Sequence, residues 1–118
     1  MNYLQIIIVL LVAIIHIYIM YLEMVLWTTK KGMKTFGLRD KQFAEETKVL
    51  AANQGLYNGF LSAGLIWAFI SNSENVAIFF LSCVTVAGIY GAFSTKKIRI
   101  LYIQTIPALV GLITILLL

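Results

Sequence analysis

Residues 3–27 read YLQIIIVLLVAIIHIYIMYLEMVLW, a long apolar run that His16 and Glu23 interrupt. A helix that crosses the hydrocarbon core of a membrane needs about 20 mainly apolar residues, at about 1.5 Å of rise per residue. This run is long enough, and the polar segment Thr28–Lys31 follows it directly. We predict that it forms the first membrane span.

The rest of the chain is also rich in apolar residues. Of its 118 residues, 61% are hydrophobic and 12% are charged, and the mean hydropathy is +0.93. Ordinary soluble domains are much less apolar. A chain of this length holds about four spans with short connections. We therefore predict an all-α integral membrane protein, a four-helix transmembrane bundle in one domain over residues 1–118.

Polar segments mark the limits of the later spans. Asp40 is well placed to cap a helix that begins near Lys41 and continues into the second span. The turn-forming run Ser71–Asn75 ends that span, and the basic turn Ser94–Lys97 separates the third span from the fourth. The four predicted spans cover residues 3–27, 48–70, 76–93 and 98–118.

The nine Lys and Arg residues all lie in or directly beside two connections between spans. They are Lys30, Lys31, Lys34, Arg39, Lys41 and Lys48 after the first span, and Lys96, Lys97 and Arg99 after the third. Connections rich in Lys and Arg stay in the cytoplasm. We predict cytoplasmic loops over residues 28–47 and 94–97, both termini outside the cytoplasm, and a location in the cell (inner) membrane of a bacterium.

The net charge of +4 does not indicate a nucleic-acid partner. The basic residues flank apolar runs directly, where they determine topology and contact lipid headgroups. The single cysteine, Cys83, has no second cysteine to pair with, and no metal-ligand spacing is present. We expect the lipid bilayer as a partner, and no metal, cofactor or nucleic acid. The N-terminus lacks a basic segment and a cleavage site, so we expect the first span to be retained.

Glu23 is the only acidic residue inside a predicted span. A charged group there costs about 2.5–3.5 kcal/mol on insertion scales and persists mainly against protein partners or water. It lies roughly 7 Å below the cytoplasmic boundary by helix rise. The helical spacing places His16, Met20, Glu23 and Trp27 in one stripe.

The second span carries a matching polar set at the depth of this stripe. Asn53 and Tyr57, and likewise Gln54 and Asn58, are four residues apart and share a broad helical face. Polar groups of the third and fourth spans also fall in the cytoplasmic half, which suggests a buried polar pocket there. The candidate ligand-binding residues are His16, Glu23, Trp27, Asn53, Gln54, Tyr57, Asn58, Tyr90 and Gln104.

Each of these residues also has a simpler interpretation. His16 is equally explained as an ordinary buried histidine, and Glu23 as a partner of Lys30 or Lys31 one or two turns further on. The polar set of the second span could form hydrogen bonds that hold helices together. Trp27 could belong to the aromatic belt at the membrane interface.

Two backbone features accompany the polar set. Gly55, Gly59 and Ala63 form a row of small residues that permits close helix packing, although the same row could leave room for a ligand. Pro107 lies inside the fourth span, where it is expected to kink the helix or to free a backbone carbonyl.

Several of these residues stand in recognisable motifs. Residues 16–20 (HIYIM), Glu23 and Trp27, followed by residues 51–61 (AANQGLYNGFL), resemble the bacterial domain-of-unknown-function family 1304. The resemblance extends over essentially the whole chain and includes Phe36-Gly37 and Gln104. It implies a four-span inner-membrane protein with these motif residues, and it implies no particular activity.

The sequence leaves four functions open. The first is a binding module, in which Glu23 and the amides hold a small polar or cationic ligand or a lipid headgroup. The second is a membrane-embedded enzyme, such as an isomerase, with Glu23 or His16 as the catalytic acid or base. The third is a small proton-coupled transporter, active as a homodimer, although the one-sided charge argues against insertion in both orientations. The fourth is a structural role.

Overall fold

Apolar runs and capping residues fold this chain into helices alone. The computed structural model describes residues 1–118 and contains no strand. The helices are α1 Tyr3–Met24, α2 Lys30–Phe36, α3 Lys41–Ser71, α4 Glu74–Thr95 and α5 Ile98–Leu117, the last of which includes a π-helical turn. The prediction of an all-α fold is confirmed.

Three of the helices, α1, α4 and α5, are long and apolar enough to cross a membrane. This finding indicates a membrane protein. The second predicted span lies within α3, which is not among these three helices. The reason is its composition, because the first half of α3 is charged and amide-rich and only its second half is apolar.

Side-chain caps determine where α3 and α4 begin. Asp40 Oδ1 accepts a hydrogen bond from the backbone N–H of Phe43 at 2.7 Å, which confirms the predicted cap. Ser73 Oγ accepts from the N–H of Val76 at 3.2 Å and caps α4 in the same way. With 31 residues, α3 is about 46 Å long and therefore exceeds the thickness of the hydrocarbon core.

The first helix is shorter than the sequence suggests. It ends at Met24, and the N–H groups of Val25 and Leu26 both donate to the carbonyl of Tyr21 as the chain turns away. Trp27 lies in this turn, beyond the helix. Its predicted place on the helical stripe of α1 is therefore wrong, because the 3.6-residue period does not continue past Met24.

A short helix, α2, occupies the connection that we predicted as a loop over residues 28–47. Thr29 Oγ1 caps its start by accepting from the N–H of Gly32 at 3.2 Å. Gly37 ends it with a φ of 63°, a left-handed conformation that glycine adopts without steric cost. A threonine and a glycine that enclose seven residues are the signal that could have revealed this helix.

The residues form two compact units, which we describe separately. The first comprises Met1–Ile15 and Leu61–Leu118. Its core is aliphatic, with Val9, Leu65 and Leu81 completely buried. The side-chain amide of Gln5 donates to the carbonyl of Thr114 at 2.9 Å, a buried hydrogen bond that joins the beginning of α1 to the end of α5.

The π-helical turn of this unit covers Leu101–Thr105. The backbone N–H of Ile106 donates to the carbonyl of Leu101, five residues back. Pro107 follows at once, and its ring and missing N–H prevent a regular helical turn here. The expected disturbance around Pro107 thus takes the form of a π-helical turn.

The second unit comprises His16–Phe60. It holds the second half of α1, all of α2 and the first half of α3. A Cβ atom added at Gly55 would lie 2.6 Å from Met24 Cγ, and one at Gly59 would lie 2.7 Å from Met20 Sδ. The two glycines therefore let α3 approach α1 closely, as the packing interpretation of the small-residue row predicts.

Candidate functional site

The carboxylate of Glu23 is the centre of the second unit. It stands in the last turn of α1 with 1% of its surface exposed. Its Oε2 atom accepts a hydrogen bond from Gln54 Nε2 at 2.8 Å, and its Oε1 atom accepts one from Asn58 Nδ2 at 2.6 Å. The structure thus brings three of the predicted site residues together in one hydrogen-bonded cluster, the carboxylate–amide cluster.

The sequence of α3 explains how both amides reach one carboxylate. Gln54 and Asn58 are four residues apart, so their side chains project from the same helical face in successive turns. Gly55 lies between them, and a Cβ atom there would come within 3.1 Å of Glu23 Cβ. The absence of a side chain at this position lets the two helices approach closely enough for the hydrogen bonds to form.

No positive group compensates the charge of Glu23. The ion pairs of the structure join Arg39 to Asp40, and Lys41 and Lys48 to Glu45, all on or near the start of α3. The alternative in which Glu23 pairs with Lys30 or Lys31 is therefore wrong. A buried carboxyl group with only neutral hydrogen-bond donors has no counter-ion within the protein, and its charged form is costly away from water.

The two amides differ in how firmly they are held. Asn58 is buried, and its Nδ2 atom also donates to the backbone carbonyl of Gln54 at 3.3 Å, which fixes the orientation of its amide. Gln54 is exposed. Its side-chain oxygen takes no part in the hydrogen bonds of the cluster and belongs to the same amide that donates to Glu23 Oε2. The Gln54 side is thus the accessible edge of the cluster.

His16 is completely buried in α1, seven residues before Glu23. This separation is close to two helical turns, so both residues lie on one face of the helix, as the stripe of the sequence predicts. Its membership of a ligand-binding site stays a prediction.

Three further candidates lie away from the carboxylate. Asn53 and Tyr57 are exposed on α3, and the ring of Tyr57 packs on that of Phe60 with centroids 6.1 Å apart. Trp27 Nε1 donates to Thr47 Oγ1 at 3.0 Å, and its ring lies 4.9 Å from that of Phe36. Trp27 thus connects α2 with α3, and our sequence analysis did not identify Thr47 as its partner.

Tyr90 and Gln104 belong to the first unit. Tyr90 is exposed near the end of α4, and Gln104 lies in the π-helical turn of α5. A role for either residue in binding stays a prediction.

The fold and the carboxylate–amide cluster define a small helical membrane protein with a buried, uncompensated carboxylate. The chain matches the family model "Protein of unknown function (DUF1304)" over residues 10–116, and it belongs to this family. Over 117 residues it is 32% identical to the uncharacterized protein YpaA of Lactococcus lactis, an alignment that covers 97% of this chain and 98% of that protein. No solved structure matches the chain. The resemblance drawn from the sequence motifs is confirmed.

Proposed function

We propose that this protein crosses the cell membrane four times and binds a small cationic ligand at Glu23 from the cytoplasmic side. The topological part rests on α3, whose second half supplies the fourth apolar segment besides α1, α4 and α5. It also rests on the position of all nine Lys and Arg residues in two connections. Four spans in one membrane domain place both termini outside the cytoplasm.

The observation that carries the binding proposal is that the buried carboxyl group of Glu23 has no counter-ion within the protein. Both of its oxygens accept amide hydrogens, and no cation of the protein pairs with it. An ammonium group beside a desolvated carboxylate gains far more than it would in water, because the interaction grows as the local dielectric constant falls. A cationic ligand would therefore supply the charge that the protein itself lacks.

The accessible edge of the cluster favours a ligand with N–H donors. Glu23 Oε2 and the side-chain oxygen of the exposed Gln54 are both acceptors at this edge, linked by the amide nitrogen that donates to Oε2. A small amine or the ammonium of a lipid headgroup could donate to both. The amide donors on Glu23 favour binding over acid–base catalysis, because they stabilise the carboxylate as a hydrogen-bond acceptor.

The experiment measures thermal unfolding of the detergent-purified full chain with methylammonium chloride or with potassium chloride at the same ionic strength. Glu23→Gln removes the charge of the cluster, and Glu74→Gln, at an exposed position of α4, removes the same charge elsewhere. We expect methylammonium to stabilise the parent and Glu74→Gln, by about 1.4 kcal/mol at ten times the dissociation constant. We expect no such stabilisation of Glu23→Gln.

Two results would overturn the proposal. One is a parent that methylammonium and potassium affect equally, and the other is a Glu23→Gln variant that responds like the parent. Nanodiscs that contain phosphatidylethanolamine provide a second arm of the experiment. If this lipid as well as methylammonium stabilises the parent over Glu23→Gln, the ligand is a lipid headgroup, and if methylammonium alone does so, the ligand is a soluble amine.

A further inference from the structure

The short helix α2 has two different faces. At about 100° per residue, Lys30, Lys31 and Lys34 fall within one arc of about 100°, and all three are exposed. We call this surface the lysine face. The opposite side carries the buried Gly32 and the partly buried Phe36. The helix therefore presents only positive charge on its open side, and it contains no acidic residue.

The charge of the lysine face is not neutralised within the protein. The carboxylates near it in sequence have other partners, since Asp40 pairs with Arg39, and Glu45 pairs with both Lys41 and Lys48. The three lysines of α2 form no ion pair. An anion from outside the protein can therefore approach them without displacing an internal partner.

Contacts with neighbouring residues hold α2 in place. A Cβ atom added at Gly32 would collide with the backbone carbonyl of Leu26, so α2 packs directly on the turn that follows α1. Phe36 packs on Trp27, which is in turn hydrogen-bonded to Thr47. The lysine face is thus part of a defined structure and not of a loose loop.

In the proposed four-span topology, on which this inference rests, α2 directly follows the first span and lies at the membrane surface. Lys31 Nζ lies 6.0 Å from the centroid of the Tyr18 ring. Tyr18 stands six residues before the end of α1, which corresponds to roughly 9 Å along the helix axis. Tyr18 and Tyr21 are each 47% exposed. The Lys31 ammonium therefore lies beside the last turns of α1 and not beyond them.

We propose that the lysine face binds the phosphate groups of anionic glycerophospholipids in the leaflet that surrounds this end of α1. The occupant follows from charge complementarity, because three ammonium groups without internal ion pairs would face the phosphates of the bilayer at this surface. Each lysine near an anionic surface contributes on the order of fivefold to local lipid preference. The lysine face would thus keep a shell of anionic lipid around α2.

Energy transfer from Trp27 to dansyl-labelled lipids in nanodiscs tests this proposal. Trp67→Phe leaves Trp27, which contacts α2, as the only tryptophan donor. Labelled phosphatidylglycerol and labelled phosphatidylcholine are compared at equal content. We expect phosphatidylglycerol to quench Trp27 severalfold more efficiently, and we expect replacement of all three lysines of the face by glutamine to abolish the difference.

Two control variants make the result specific. Replacing Lys96, Lys97 and Arg99 by glutamine removes the same charge from the other basic connection and should leave the preference intact. Replacing the lysine face by arginines should also retain it. The proposal fails if the parent shows no preference, if the glutamine variant of the face keeps it, or if both glutamine variants lose it equally. It also fails if millimolar inorganic phosphate removes the preference, because the face would then bind free anions.

Discussion

Glu23, Gln54 and Asn58 show how single residues give this protein its most unusual chemistry. Two neutral amides donate to the two oxygens of a buried carboxyl group that has no counter-ion within the protein. The sequence was sufficient to group these residues by depth and helical face. It could not separate them from Asn53 and Tyr57, because the direction of α3 relative to α1 depends on packing that no single-helix pattern contains.

The two amides should differ in their contribution to stability. Asn58→Ala leaves the buried Glu23 Oε1 without its donor and should cost about 1–3 kcal/mol. Gln54→Ala affects an exposed side chain, and water can replace its donor, so it should cost less than about 1 kcal/mol. Equilibrium unfolding in mixed detergent would measure both, and a larger loss for Gln54→Ala would contradict this account of the cluster.

At the level of elements, some helices could be predicted from the sequence and others could not. Asp40 predicted the start of α3, and the apolar runs predicted α1, α4 and α5. We missed α2 because its capping residues, Thr29 and Gly37, stand in a segment without apolar periodicity. The early end of α1 at Met24 was also not predictable, because the sequence stays apolar through residues 25–27.

The contact between α1 and α3 depends on Gly55. Gly55→Ala would place its Cβ 2.6 Å from Met24 Cγ and 3.1 Å from Glu23 Cβ, so we expect a loss of about 1–3 kcal/mol. Gly91→Ala is the matched control, since its Cβ would meet only Ile100 Cγ2 at 3.4 Å and it should stabilise α4 by up to about 1 kcal/mol. Equal effects of the two substitutions in the same unfolding experiment would show that Gly55 does not determine the helix contact.

The position of α2 depends on Gly32. A Cβ at Gly32 would overlap the Leu26 carbonyl, and backbone atoms cannot move aside as cheaply as a flexible side chain. We expect Gly32→Ala to displace α2, to shift the emission of Trp27 and to accelerate proteolysis near residue 37. Gly37→Asn tolerates the left-handed conformation and should change neither property. A Gly32→Ala variant with parental emission and cleavage would show that α2 does not pack in this way.

For the molecule as a whole, the number of membrane spans depends on how α3 is interpreted. The apolar composition predicts four spans, whereas three helices satisfy the length and hydropathy that a span requires. The difference arises because α3 begins outside the membrane in the proposed topology and carries its amides into the first turns of the span. Average hydropathy does not distinguish such residues from a soluble surface.

The proposed topology predicts the location of both chain ends. Alkaline phosphatase fused after Leu118 should be active, because the C-terminus lies outside the cytoplasm, and green fluorescent protein at the same point should stay dark. A single cysteine at position 2 in a Cys83→Ser background should react with an impermeant maleimide added to intact spheroplasts. Chain ends on opposite sides of the membrane would indicate an odd number of spans and contradict the four-span proposal.

The central claim is that the buried Glu23 carboxylate binds a cation that the protein does not itself supply. Equilibrium binding of radiolabelled methylammonium to the purified full chain measures this claim directly. We expect one saturable site per chain in the parent and in Glu74→Gln, and none in Glu23→Gln. A parent without saturable binding, or a Glu23→Gln variant that still binds one equivalent, would contradict it.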